Sequence, residues 1–239
     1  ASFLVLHHCH LVLATKQPAM TAATLAGIVR DKRGGERLDE IVDFITAIVS
    51  SQIAATIANI VMVGLGAYGF DLLWNLATGQ HWLTVTKAQH TYEDFSPVNS
   101  LTIWYAALTG VILWLSSLIG GWFDNWSVYH RLPQGLRDLG RRGKIRRFVW
   151  LGDAVERHMG GWSTNISLGL MLGMAPLLGG FMGLPIDVRH VTLNTGILAL
   201  AAAGLDTGWF ESGRFLLAVS GIAVMFVLNL GVSFTLSLF

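Results

Sequence analysis

Charged side chains are scarce in this sequence. Lysine, arginine, aspartate and glutamate together make up 13% of its 239 residues, against about 25% in a typical soluble protein. Hydrophobic residues make up 53%, and the mean hydropathy is +0.55. These proportions exclude a disordered tail, because disordered chains are rich in charge and poor in apolar side chains.

Cysteine is nearly absent, since Cys9 is the only one, and this excludes a disulfide scaffold. A net charge of +1 and a pI near 8.2 argue against a free-standing nucleic-acid-binding domain, which usually has a pI above about 9. No basic stretch precedes the apolar run at 1–14, so no signal peptide is predicted. Because the chain begins and ends inside apolar runs, we interpret it as a fragment of a longer protein.

The apolar residues occur in long blocks. A membrane-spanning helix needs about 20 mainly apolar residues. Five stretches meet this requirement, at 41–65 (with a possible extension to 74), 101–123, 163–184, 188–205 and 213–239. The opening segment to Thr15 would add a sixth if residues preceded it. The sequence therefore predicts an all-α, polytopic transmembrane helix bundle of about five to six spans, forming a single transmembrane domain over 1–239.

Most of the basic residues lie in two of the polar loops. Residues 16–40 contain five lysines and arginines and residues 124–162 contain eight, whereas residues 78–100 contain only Lys87. Because basic loops stay on the cytoplasmic side, loops 16–40 and 124–162 are predicted to be cytoplasmic.

Local signals mark several helix ends. Ser96 and Pro97 predict an N-cap with proline in the first turn of the following helix. Pro176 lies inside the segment at 163–184 and predicts a kink, since proline lacks the amide hydrogen. Pro185 closes that segment, and Asp187 is predicted to cap the next helix.

The segment at 163–184 also carries Gly169-x-x-x-Gly173 and Gly179-x-x-x-Gly183. Small residues at this spacing favour close helix packing around the kink. The alternative is a discontinuous helix that lines a binding site, as in many secondary transporters.

One polar face stands out within the membrane segments. Gln52, Thr56 and Asn59 have helical spacing and share a face that lipid would penalise. One asparagine in each later segment is a candidate partner; these are Asn165, Asn194 and Asn229. Two interpretations remain open: interhelical hydrogen bonds that hold a bundle together, or a path for a polar solute.

Three polar residues, Asp187, Arg189 and His190, follow Pro185 at a predicted membrane edge. A carboxylate beside a guanidinium and an imidazole is suited to bind an anion or to relay protons. The alternative is an interfacial ion pair that ends the helical hairpin.

Histidines fall in two groups that are candidates for a metal site. On a helix only His7 and His10 of the first group share a face, and the second group places His90 near Asp94. Two ligands do not make a site, so no metal site is predicted and no cofactor is assigned.

Basic and apolar residues alternate along the second basic loop, which predicts an amphipathic helix on an anionic lipid surface. The lipid bilayer and anionic headgroups are therefore the expected partners, nucleic acid is not expected to bind, and oligomers or partner subunits remain open. The predicted headgroup or phosphate contacts are Arg131, Arg137, Arg141, Arg142, Lys144, Arg146 and Arg147.

Several strings carry a family resemblance. They read LATKQPAMT at 13–21, LIGGWFDNW at 118–126, GLPIDVRHVTL at 183–193, NISLG at 165–169 and NLGVSF at 229–234. With them the chain resembles the C-terminal membrane half of a bacterial family described as site-specific recombinase. The resemblance implies an inner-membrane protein whose full-length relatives carry a large additional N-terminal region.

The family name implies chemistry that these residues do not supply. A tyrosine recombinase needs a nucleophilic tyrosine supported by arginine and a His-x-x-Arg pair, but the chain has no His-x-x-Arg and no tyrosine after Tyr129. A serine recombinase needs a soluble α/β domain, and a metal-dependent transposase needs clustered carboxylates. No catalytic residue is therefore assigned.

Three functions remain as hypotheses. The first is a membrane scaffold or transport-type helical domain without recombinase chemistry in this chain. The second is a membrane-anchored DNA-processing protein with its catalysis in the missing N-terminal region. The third, a membrane metalloenzyme, would require metal to copurify with the chain.

Overall fold

Seven α-helices make up the computed structural model, which describes residues 35–205 and 213–237. They are α1 (Gly35–Thr78), α2 (Val85–Asp94), α3 (Thr102–Tyr129), α4 (Leu132–Arg142), α5 (Arg146–Met182), α6 (Val191–Ala203) and α7 (Gly213–Ser237). These ranges contain no strand, which confirms the predicted all-α class.

Within the residues that the structure describes, four helices are long and apolar enough to cross a membrane: Leu38–Thr78 of α1, and the whole of α3, α5 and α7. The predicted span at 188–205 forms only the 13 residues of α6. At 1.5 Å per residue α6 rises about 20 Å, short of the roughly 30 Å of hydrocarbon. The candidate sixth segment, up to Thr15, lies outside the described residues.

The helices extend beyond the apolar stretches that predicted them. Helix α3 continues to Tyr129, and α5 begins as early as Arg146. The predicted loop 124–162 is therefore helical apart from residues 130–131 and 143–145. Helix α4 lies where the amphipathic helix was predicted, which confirms that helix.

The described residues form two compact units. The first comprises 35–45, 112–174 and 236–237, and the second comprises 46–111, 175–205 and 213–235. Helix α2 packs against α6 in the second unit. The core there is built by α2, the start of α3, α6 and α7, with Ala88, Ala106, Ala201, Ala218 and Met225 all fully buried. Alanines at such positions let helices approach closely.

The first unit also packs through small residues. A Cβ added at Gly120 of α3 would lie 2.9 Å from the Gly160 carbonyl of α5. A Cβ at Gly152 of α5 would lie 2.7 Å from the Pro133 carbonyl of α4. These glycines therefore allow α5 to lie against both α3 and α4.

The predicted N-cap at Ser96 is wrong. Ser96 Oγ accepts a hydrogen bond from the Asn99 amide at 3.2 Å, so Ser96 stabilises a turn. Helix α3 begins at Thr102, whose amide donates to Ser100 Oγ at 3.2 Å. A serine caps whichever amides the chain brings to it, and here the turn at 96–99 brings Asn99.

The predicted cap at Asp187 is also wrong. Its Oδ1 accepts from the adjacent Val188 amide at 2.7 Å, because the chain from 184 to 190 is non-helical. The N-cap of α6 is His190, whose side chain makes no capping bond.

Pro176 lies within the continuous helix α5, which ends six residues later at Met182. Gly183 has a φ of +64°, and the Leu184 amide donates to the Gly179 carbonyl at 3.0 Å. A left-handed glycine with this bond is a common helix ending, and Pro185 follows. No described atom lies within 4 Å of a Cβ added at Gly169 or Gly173, so this glycine pair does not mediate close packing between described residues.

Candidate functional site: a buried polar centre

Asn229 of α7 is the centre of a polar cluster in the second unit. Its Oδ1 accepts from the Val191 amide at 3.0 Å. Its Nδ2 donates to the Ala106 carbonyl at 2.9 Å and to the Arg189 carbonyl at 3.0 Å. The side chain is buried, and it makes three bonds to the backbone of α3, of α6 and of the segment before α6.

Val191 is the first residue of α6, whose opening amides lack partners within the helix. Asn229 satisfies one of these amides from another helix, in the place of a local cap. The Arg189 carbonyl lies in the non-helical segment before α6, where a membrane interior would otherwise leave it unsatisfied, whereas the Ala106 carbonyl lies within helix α3.

Arg189 makes polar contacts through both its backbone amide and its guanidinium. Its amide donates to Thr109 Oγ1 at 2.9 Å, and its guanidinium donates to Asp187 Oδ2 at 2.6 Å. The guanidinium also lies 5.5 Å from the Phe95 ring centre and 5.4 Å from that of Tyr105, within cation–π range. The predicted pairing of Asp187 with Arg189 is thus present, with the Arg189 side chain only 13% exposed.

His190 and Asn194 are both buried in this unit. Asn194 Nδ2 donates to the sulfur of Met225 at 3.4 Å, which is a weak acceptor. The structure therefore gathers five of the predicted polar residues around α6: Asp187, Arg189, His190, Asn194 and Asn229.

The polar face of α1 is only partly buried. Gln52 and Thr56 are buried and Asn59 is half-buried. Thr56 Oγ1 donates to the Gln52 carbonyl of its own helix at 2.8 Å. Asn165 belongs to the first unit, where it is buried and its Oδ1 has no partner among the described residues.

Sequence reasoning missed a second polar cluster, at the end of α1. Asp71 is fully buried; its carboxylate lies 2.6 Å from His81 Nδ1 and accepts from the Trp82 amide at 2.8 Å. The amide of Asn75 lies 3.3 Å from His81 Nε2. The sequence does carry a signal for this cluster. Asp71 is the only charged residue between Asp43 and Lys87, and a carboxylate in an apolar run needs a partner.

The other predicted group, the basic residues around α4, divides in two. Arg137 pairs with Asp153 at 2.7 Å and also with Glu156. Hydrogen bonds to Glu156 and Asp153 raise the pKa of Arg137 above its usual value. Its guanidinium therefore ties α4 to α5.

The remaining six basic residues are exposed. Two of them, Arg131 and Lys144, flank α4 with φ of 52° and 53°. Large apolar side chains are exposed among them, with Leu139 at 61% and Trp150 at 65%. We call this surface the basic apolar patch; its members are Arg131, Leu139, Arg141, Arg142, Lys144, Ile145, Arg146, Arg147, Phe148 and Trp150.

These features define a helical membrane protein with a buried polar centre. The chain belongs to the family described as site-specific recombinase, whose model matches residues 1–239. This confirms the resemblance seen in the sequence. No curated protein and no solved structure matches the chain.

Proposed function

We propose that this chain is a membrane-embedded helical scaffold that crosses the bacterial inner membrane several times. Loops 16–40 and 124–162 face the cytoplasm, and residues 1–239 form a single transmembrane domain. The observation that supports a scaffold best is Asn229, because its three hydrogen bonds are all to backbone groups. A side chain whose polar atoms are already bonded is a poor ligand for a passing solute.

The exposed faces of the spans support a lipid environment. Only 11% of the most apolar window of α1 is buried inside the protein. Leu65 and Met62, for example, are 68% and 70% exposed. In water this surface would be an aggregation hazard, whereas lipid tails cover it at no cost.

The basic apolar patch is the proposed contact with anionic headgroups. Each exposed lysine or arginine near such a surface contributes about 1 kcal/mol, and exposed side chains such as Trp150 and Leu139 are suited to the interfacial layer. Arg137 is excluded from this role, because its guanidinium is already paired with two carboxylates.

Recombinase chemistry is not part of the proposed function. Tyr129, the last tyrosine, is exposed at the end of α3, and the chain has no His-x-x-Arg pair to stabilise a phosphorane. The alternative is a membrane-anchored DNA-processing protein, in which the same exposed cations contact DNA phosphates.

Hydrogen exchange of α4 tests these two functions. The purified chain is reconstituted in nanodiscs of phosphatidylcholine alone or with one third phosphatidylglycerol. We expect the anionic lipid to slow amide exchange in α4, and the Arg141→Gln/Arg142→Gln variant to lose this protection. The control is Lys87→Gln/Arg157→Gln, which removes two charges outside the patch.

A labelled DNA duplex is then titrated at low salt into the phosphatidylcholine nanodiscs. Salt-dependent binding that Arg141→Gln/Arg142→Gln abolishes, without protection by anionic lipid, would overturn the lipid assignment in favour of DNA processing. Protection by anionic lipid without DNA binding supports the scaffold.

A further inference from the structure

Three aromatic side chains lie together where α1 ends. The rings of Phe70 and Trp74 are stacked with their centres 6.1 Å apart. The Trp82 ring is steeply inclined to both, with its centre 5.4 Å from that of Phe70 and 4.9 Å from that of Trp74. Phe70 and Trp74 are one helical turn apart on α1, whereas Trp82 belongs to the loop that follows it. We call these three residues the aromatic cluster.

Asp71 holds the loop that carries Trp82. Its buried carboxylate accepts from the Trp82 amide at 2.8 Å and lies 2.6 Å from His81 Nδ1. Because α1 continues to Thr78 beyond Asp71, the loop must fold back along the end of the helix to make these contacts. This arrangement brings Trp82 against the other two rings, so the aromatic cluster is built by the tertiary fold.

The side chains of the aromatic cluster are between 38% and 50% exposed. The indole N–H groups of Trp74 and Trp82 form no hydrogen bond with any residue that the structure describes. Trp104 of α3 differs, because its indole N–H donates to the Pro185 carbonyl at 3.0 Å. A tryptophan with an apolar ring and an unbonded N–H is suited to the membrane–water interface, where hydrocarbon and polar acceptors meet.

The aromatic cluster continues the lipid-facing surface of α1, on which Leu65 and Leu73 are both exposed. Helix α1 has 44 residues and rises about 66 Å, about twice the thickness of the hydrocarbon layer. Its length alone therefore does not show where it leaves the lipid. The polar residues Asn75 and Thr78 lie in the remaining turn of α1, which favours a boundary at the aromatic cluster.

We propose that the aromatic cluster anchors α1 in the interfacial layer of the bilayer, and that α1 leaves the lipid at Trp74. The indole N–H groups donate to ester carbonyl oxygens of the lipid, while the rings pack against the first carbons of the acyl chains. The inference rests on the proposed crossing of the membrane by α1. In the proposed topology this layer belongs to the outer leaflet.

Fluorine NMR measures the depth of the two indole rings in the wild-type chain. Fluorotryptophan is incorporated biosynthetically, and the signals of Trp74 and Trp82 are identified by their loss in Trp74→Phe and Trp82→Phe. The chain is placed in phosphatidylcholine nanodiscs with a nitroxide near the glycerol end or near the methyl end of the lipid acyl chain. We expect the glycerol-end nitroxide to broaden both signals at least twofold more than the methyl-end nitroxide. A smaller ratio, or no broadening by either label, would overturn the anchor.

Two cysteine probes on α1 test the boundary at Trp74. Leu65→Cys and Leu76→Cys replace exposed leucines in a Cys9→Ser background, and each cysteine carries a trifluoromethyl group. We expect the methyl-end nitroxide to broaden the Leu65→Cys signal. A water-soluble gadolinium chelate is expected to broaden the Leu76→Cys signal at least twofold more than the Leu65→Cys signal. A smaller difference between the two probes would place the boundary elsewhere and overturn the proposal.

The same probes separate failure of this inference from failure of the proposed function. Broadening of the Leu65→Cys signal by the methyl-end nitroxide supports the crossing of the bilayer by α1, whether or not the indole rings lie at the interface. Loss of that broadening would contradict the crossing itself, and with it the anchor.

Discussion

At the scale of single residues, Asn229 shows how one amide organises a membrane core. Asparagine offers both a donor and an acceptor, and Asn229 uses both on backbone groups, including the Val191 amide and the Arg189 carbonyl at the start of α6 and just before it. Neighbouring Asn194 is equally buried, but its bond is to a methionine sulfur. The two residues therefore make a matched pair for mutation.

Asn229→Leu is expected to lower the free energy of unfolding by about 2–4 kcal/mol, because it leaves buried backbone groups without partners. Asn194→Leu is expected to cost less than about 1 kcal/mol, since a thioether is a weak acceptor. Thermal unfolding of both variants in the same detergent measures the difference. Equal losses of unfolding free energy in the two variants would show that the hydrogen bonds of Asn229 stabilise the fold no more than that of Asn194.

Burial raises the pKa of Tyr92 to about 12 from 10.0, and Tyr92 lies in α2, outside the four candidate spans. The folded chain then keeps the phenol proton while the unfolded chain loses it, so stability falls as the pH rises from about 10 to 12. The loss is at most about 2–3 kcal/mol. Tyr92→Phe is expected to flatten this part of the curve, as measured by chemical unfolding at several pH values. If stability falls with pH as steeply in Tyr92→Phe as in the wild type, the Tyr92 phenol is not the cause of the fall.

At the scale of helices, two glycines of α7 have opposite surroundings. A Cβ added at Gly221 would collide with the carbonyl of Phe95, whereas one added at Gly231 meets no described atom within 4 Å. Gly221 is therefore where α7 passes the end of α2.

Gly221→Ala is expected to destabilise the chain by about 3 kcal/mol, because a backbone group must move to admit the methyl. Gly231→Ala, in the same helix, is expected to be neutral or to stabilise by up to about 1 kcal/mol. Melting temperatures of the two variants test this pair. If Gly221→Ala proves as stable as Gly231→Ala, the close approach of α7 to Phe95 is wrong.

The contact between α4 and α5 depends on Arg137 as well as on close glycine packing. Arg137→Gln removes the cation that Glu156 and Asp153 share, so α4 is expected to detach more often and to be cut faster by a protease. Because trypsin would lose a cleavage site, cleavage is followed with chymotrypsin at Leu136 and Leu139. The control is Arg141→Gln, which removes from the same helix a charge that forms no ion pair with a described residue. Equal cleavage rates in the two variants would contradict a role of Arg137 in holding α4 against α5.

At the scale of the whole molecule, the proposed topology puts the loop before α3 and helix α4 on opposite sides of the membrane. Single cysteines at Val98 and Gln134, in a Cys9→Ser background, test this arrangement, and both positions are exposed. An impermeant maleimide is expected to label Val98→Cys in intact spheroplasts, and Gln134→Cys only after permeabilisation. Labelling of both from one side would overturn the topology.

The sequence predicted the membrane spans better than it predicted the helix ends. Four apolar stretches gave the candidate spans, since hydropathy is a sum over neighbouring residues. The stretch at 188–205 misled because residues 188–190 are extended and the helix ends at Ala203, which leaves too few helical residues to cross the bilayer. The caps at Ser96 and Asp187 failed for a related reason, as each side chain bonds an amide that its local turn supplies.

The sequence by itself determined the helical class, the membrane environment, the family and the basic amphipathic helix. Each of these depends on composition or on residues within a few turns of one another. Only the tertiary structure decided that Asn229 bonds to Ala106, Arg189 and Val191, that Asp71 pairs with His81, and that Arg137 differs from the other arginines. Those partners lie from 10 to 123 positions apart, and no periodicity within a helix specifies a partner at such distances.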